Sequence, residues 1–189
     1  VYLPNADTSN PAPMATGVGP VGRSYVFDVV PVTLNTTGVA ATQLLGAAGN
    51  MTLTAGTGAT SVTRGDGTVV VQLDTPRCVT LTVATTNQSG LTFTISGYDR
   101  YGQAMSQAIA GPNNNTVATT KAFFQISRVA VSAAIATNGV GVGFNDKLGL
   151  PYRVTDVGYV QSVKWAATLA QDAGTFVAAD TTSPATTST

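Results

Sequence analysis

The chain is expected to be all-β, an antiparallel β-sandwich or jelly-roll-like barrel preceded by an extended N-terminal arm, and three observations say so. All nine acidic residues are Asp, and Lys stands only at 121, 147 and 164. Glu and Lys favour helices, whereas the abundant Thr, Val and Gly favour strands and turns. Short segments alternate strictly between apolar and polar residues, the pattern of a half-buried antiparallel strand. Turn signals recur every 8–12 residues or so, the spacing of sandwiches and barrels.

Residues 1–22 contain Pro4, Pro11, Pro13 and Pro20 and no sustained periodicity. Proline removes backbone donors and biases its predecessor towards extended conformations, so this stretch reads as an arm laid on a surface. Its apolar residues Val1, Tyr2, Leu3, Met14 and Val18 are the candidate protein-contact residues. Residues 23–180 form the expected β domain, and the Ser/Thr/Pro-rich run 181–189 reads as a tail or linker.

Within the β domain, Ser24–Leu34 is the first expected strand, with Pro31 marking an edge or a bulge. Met51–Ala55 is short. Ser61–Leu73 reads as a hairpin turning at Gly65-Asp66-Gly67. Arg77–Thr86 sets Val79, Leu81 and Val83 on one face and Cys78, Thr80 and Thr82 on the other. Leu91–Ser96 repeats the alternation, and Asp99-Arg100-Tyr101-Gly102 suits a type I turn into Gln103–Ile109. After the polar loop Gly111–Thr116, the apolar run Ala122–Ala136 slips phase near Ser127-Arg128, which predicts a β-bulge. Gly139–Phe144 alternates Gly with Val, and Leu148–Val154 crosses a proline. Tyr159–Leu169 is a last strand, or a short helix through Trp165–Asp172.

Composition narrows function as well. Charged residues make up 10% of the chain, against roughly 25% in an ordinary soluble domain. Nine basic residues balance nine acidic ones, so no overall field draws the protein to nucleic acid or to an anionic membrane. There is no His, which removes the usual general base, the commonest metal ligand and the Ser-His-Asp class of site. The single Cys78 excludes an intrachain disulfide framework and reads as a small buried apolar residue. Four sequons begin at Asn35, Asn50, Asn87 and Asn114, as a chain rich in Asn and Thr produces by chance. No signal-peptide core and no membrane-length apolar run is present, so a soluble chain is expected.

Gly17-Val18-Gly19-Pro20-Val21-Gly22 matches the dinucleotide pattern letter for letter, but the mechanism needs a strand before it and a helix after it. Here a proline-rich arm precedes it and a strand follows. Arg64-Gly65-Asp66 spells the integrin tripeptide at a hairpin tip, where Gly and Asp are already wanted by the turn. Asp28, Asp66, Asp74, Asp99 and Asp146 yield no pair singled out for glycoside hydrolysis and no oxygen cage for calcium. Trp165 and Phe123-Phe124 read as core. No catalytic, cofactor-binding or metal-binding residue is expected.

Leu91–Ile109 (LTFTISGYDRYGQAMSQAI), Ala122–Ser132 (AFFQISRVAVS) and Gly141–Val154 (GVGFNDKLGLPYRV) together resemble a pattern of tailed-bacteriophage virion proteins. In that pattern a strand ends in G-x-D-x-x-G-x-x-M, and a Phe-x-x-Ile strand and a Leu-Gly-Leu-Pro segment follow. An acidic residue often stands in the strand after the turn; here Gln107 stands near that point. The resemblance implies a capsid decoration (cement) or head-associated protein, on the capsid exterior, with the major capsid protein and copies of itself as partners. It carries no catalytic residue. A phage tail or receptor-binding module is the second expectation, a secreted adhesion or carbohydrate-binding module the third, and a polysaccharide-cleaving enzyme a distant fourth.

Overall fold

A computed structural model describes residues 26–150. The arm 1–22 with Val1, Tyr2, Leu3, Met14 and Val18, the segment Tyr159–Leu169 with Trp165, and the tail 181–189 lie outside the described residues. So does Leu148–Val154 beyond Leu150.

The described chain is all-β, with eight strands and no helix: β1 Asn35–Leu45, β2 Gly49–Asn50, β3 Ala59–Thr63, β4 Val69–Thr82, β5 Thr92–Tyr98, β6 Ala104–Ala110, β7 Thr116–Val131 and β8 Ile135–Leu148. Every pairing is antiparallel, and the main path through the sheet runs β1-β8-β4-β7-β5-β6. β3 pairs with the first part of β4, and β2 with the end of β7. The segment after β2 completes the connection. Met51 N–H donates to Val129 O of β7 at 2.8 Å, while Thr54 and Gly56 N–H donate to Val39 and Gly38 O of β1 at 3.0 and 2.9 Å. Hydrogen bonds therefore return from β7 to β1, and Met51, Leu53 and Ala55 turn inward against the core.

That core is a single cluster drawn from opposite ends of the strand order: Val39, Val79, Leu81, Phe93, Ile95, Phe123, Ile126 and Phe144 all belong to it. Phe93, Phe123 and Phe144 have no exposed surface. Burying each contributes on the order of 2–3 kcal/mol.

Several expectations hold in detail. The hairpin at residues 61–73 is β3 and β4, with Thr63 opposite Val69 and Gly67 at φ +83° in the turn. The Asp99 turn is present, with Gly102 N–H donating to Asp99 O at 3.1 Å and Gly102 at φ +81°. The bulge is where the phase slips: Ser96 faces Arg128 and Gly97 faces Ile126, leaving Ser127 unmatched, and Ser127 Oγ bonds to Ser96 O at 3.2 Å.

Other elements differ from expectation. The described part of Ser24–Leu34 joins no ladder; Val26–Leu34 precedes the first strand, and β1 lies at Asn35–Leu45 instead. Its sequence, NTTGVAATQLL, has no regular alternation because its register against β8 shifts between each successive pair recorded. Met51–Ala55 bonds to both neighbours but only Gly49–Asn50 forms a ladder. Leu73 and Arg77 belong to one long strand, β4, not two. Ala122–Ala136 is likewise divided otherwise, since β7 begins at Thr116 and ends at Val131, and Ser132–Ala134 turn the chain into β8. The alternation at residues 77–83 does not mark a half-buried strand either. Cys78 and Thr80, on the face opposite Val79 and Leu81, are buried too.

The Gly-Val alternation of β8 has a packing cause. Val140, Val142 and Phe144 fill the core, and the intervening glycines meet β1. A Cβ on Gly143 would lie 1.9 Å from Asn35 O, and one on Gly139 would lie 2.6 Å from Gln43 O. Only a residue without a side chain lets the two backbones approach so closely.

Candidate functional site

The most constrained polar cluster lies where β4 bends. Between Gln72 and Arg77 β4 advances five residues while β7 advances two, from Gln125 to Phe123, so three residues of β4 have no partner there. Pro76, which has no N–H to give to a ladder, sits in this bulge. In a straight strand residues three apart point to opposite faces. The bulge cancels that rule and brings Asp74 onto Arg77.

Arg77 has no exposed side-chain surface, and its guanidinium lies 5.0 Å from the centre of the Phe144 ring. A buried guanidinium must find acceptors for its donors. Nε donates to Asp74 Oδ1 at 2.9 Å, and Nη2 to Asp74 Oδ2 at 2.7 Å, a two-pronged ion pair. Nη1 donates to Asn145 O at 3.2 Å, with Asp146 Oδ1 3.6 Å away. Nη2 also donates to Val32 O at 2.6 Å, and Val32 N–H donates to Asp74 Oδ2 at 2.9 Å. Partial burial pushes the Asp74 carboxyl up, but the bonds from Arg77 and from Val32 N–H outweigh it and hold the group below the usual carboxylate value.

The segment held at Val32 carries an apolar row. Exposure alternates from Val26 to Val32 and stays high through Thr33 and Leu34, with Val26 at 88%, Val30 at 92%, Val32 at 37% and Leu34 at 47%. Phe27, Val29 and Pro31 between them are half-buried. Asp28 is the only charge in the row.

A second cluster supports β7. Opposite Cys78–Thr80 that strand advances from Ala122 to Ala118, leaving Thr119–Lys121 bulged. Thr119 fills the gap, accepting from Val79 N–H at 2.9 Å and donating to Lys121 O at 2.7 Å. On the other side Gln107 Oε1 of β6 accepts from Thr120 and Lys121 N–H at 3.1 and 2.9 Å. Gln107 thus docks a sheet edge, a task for which an amide carbonyl suffices without charge.

The Arg64-Gly65-Asp66 tripeptide is turned to its own fold. Arg64 stacks 3.6 Å above the Tyr98 ring and donates to Gln125 Oε1. Asp66 Oδ1 accepts from Thr68 N–H at 2.9 Å, and that bond holds its carboxyl below the usual value. Asp99 similarly accepts from Tyr101 and Gln103 N–H, both at 2.8 Å. Each of these carboxylates serves a turn, as Asp does at such positions.

Among the described residues no three His, Cys, Asp or Glu side chains gather as a metal site would need. A shallow groove of about 300 Å³ lies between β1 and β8, lined by Thr36, Thr37, Thr42, Asn138 and Gly141 among others, none of which titrates. Cys78 is buried. No helix among the described residues is long and apolar enough to cross a membrane.

Sequence reasoning read Asp74 and Arg77 separately, as residues beside and at the start of strands. The signal was present: opposite charges three apart around a proline, inside a strand, require a bulge to meet. No protein family, curated protein or solved structure matches the chain.

Proposed function

We propose that the protein is a non-enzymatic structural protein that attaches to other protein surfaces, and specifically that it decorates or cements a tailed-phage head. The observation that carries the docking reading is the apolar row Val26, Val30, Val32 and Leu34, exposed on an all-β chain with few charges. Val30, Val32 and Leu34 at every second residue, with Val26 in the same phase and Asp28 between, fit a sheet edge or a flat protein surface, and few charges oppose such pairing. The stretches that resemble the phage virion pattern include the turn at Asp99, strand β7 with its Ser127 bulge, and Leu148 at the end of β8. Turns and strands of that kind serve a lattice component, which must hold its shape in many copies.

The major capsid protein is the proposed partner, together with further copies of the chain on the capsid exterior. Covering Val26 or Val30, each nearly fully exposed, would add about 1.5–3 kcal/mol to attachment, and covering Val32 or Leu34 less than half of that. The test is co-sedimentation with undecorated phage heads of the full chain, a chain lacking residues 1–22, and Val26→Asp/Val30→Asp. Melting curves of each protein alone accompany it. Retained folding with attachment weakened at least tenfold in both altered forms is expected. Equal binding by all three refutes the docking surface, and binding to no head refutes the decoration role.

A further inference from the structure

The Asp74–Arg77 pair treats Val32 as a neighbouring strand would, taking its N–H and giving to its C=O. Among the described residues these are the only hydrogen bonds that join Val26–Leu34 to the rest of the chain. Two further features bear on what happens if they open. First, Arg77 is not stranded when Val32 leaves, because Asp74, Asn145 O and Asp146 remain around it. Second, the sheet is secured just downstream of Val32 by separate contacts. Asn35 faces Phe144 in the β1–β8 ladder, its Nδ2 donates to Thr57 O at 2.9 Å, and its Oδ1 caps Thr37 N–H at 3.0 Å.

We propose that Val26–Leu34 is a strap latched to the sheet at one point, Val32, by the Asp74–Arg77 clamp, and that it opens as a unit while the eight strands stay paired. Thr33 and Leu34 are the hinge, lying between the latch and the first ladder pair at Asn35. The clamp is complete without its strap, so release costs the two bonds at Val32, the partial burial of Phe27, Val29 and Pro31, and the contact of Val32 with Gly58, where a Cβ would come within 2.9 Å of Val32 Cγ2. The charged groups in contact at the clamp are Arg77 and Asp74 on β4 and Asp146 on β8; Lys147, next to Asp146 in sequence, and Asp28 on the strap are exposed. The lowered Asp74 keeps the latch charged and closed through neutral pH. Opening changes how the apolar row is presented, so the inference deepens the docking reading. Its test uses the isolated chain, and either idea can fail without the other.

Hydrogen exchange and thermolysin digestion are compared for the native chain, Asp74→Ala and Val32→Pro. The first removes the carboxylate. The second removes the strap's own donor and leaves the buried ion pair untouched, so it reports even where Asp74→Ala fails to fold. Cleavage within residues 26–34 at least tenfold faster than in the native chain is expected for Val32→Pro, with Leu81, Phe123 and Val142 amides as protected as before. In Asp74→Ala the Val32 amide should exchange at least tenfold faster against the same background. Unchanged cleavage in Val32→Pro overturns the latch, as does loss of protection in the sheet amides in step with the strap.

Discussion

Thr119 and Thr80 lie on facing strands, both nearly fully buried, and the same substitution should move stability in opposite directions at the two positions. Thr119→Val replaces a hydroxyl with a methyl of similar size. Val79 N–H then has no acceptor, at a cost of about 1–3 kcal/mol. Lys121 O also loses a donor, a smaller cost because a carbonyl short of one partner is better tolerated than an orphaned N–H. The added buried methyl returns about 0.8 kcal/mol. A net loss of about 1–3 kcal/mol follows from these terms. Thr80 Oγ1 is buried with no hydrogen-bond partner among the described residues, so Thr80→Val removes an unpaired polar atom and adds the same methyl. A gain of about 1–2 kcal/mol is expected there. Urea unfolding followed by far-ultraviolet circular dichroism separates the two, and the midpoints on heating should lie roughly 4–20 °C apart for a chain of this size. Variants that agree within about 0.5 kcal/mol, the usual spread of neutral surface changes, would refute the role given to the Thr119 hydroxyl.

Two further outcomes follow from the geometry. Gly143→Ala places a Cβ 1.9 Å from Asn35 O, a backbone atom that cannot rotate aside, so β1 must move off β8; a loss of about 1–3 kcal/mol is expected, with β1 amides exchanging before those of β4. Stability should also depend on Asp74 in acid. A carboxyl lowered by folding contributes fully above the unfolded value of about 3.9, and the contribution fades as pH falls through the folded value below it. Urea midpoints from pH 7 to pH 2 should therefore fall more steeply for the native chain than for Asp74→Asn, and parallel curves would contradict the assignment.

What could be read from sequence followed period and turn chemistry. β5 alternates cleanly because one face packs on the core and the other does not, and the Ser127 bulge betrays itself as a break in that rhythm. β1 escaped notice because irregular pairing and close approach to the β8 glycines erase the period on which such reading depends. Val26–Leu34 misled for the opposite reason: as far as Val32 it alternates like a strand, but it has no ladder. The Asp74–Arg77 clamp was hidden because its partner is a main-chain amide 42 residues away, and a backbone group has no letter. Gln107 is similar, a polar side chain whose role exists only beside the bulge of β7.

The pairing of β1 with β8 sets a timetable for synthesis. Asn35 leaves the ribosome roughly 100 residues before its ladder partner Phe144, which at 5–20 residues per second is about 5–20 s. For that interval the edge of β1 that later meets β8 has no partner, and its exposed backbone groups can pair with any nascent chain nearby. Such non-local closure also belongs to the slow class of folding reactions, in milliseconds to seconds. Transposing the segment Asn35–Leu45 to follow Leu148 through a short linker should shorten that wait. Soluble yield at high expression would rise as a result.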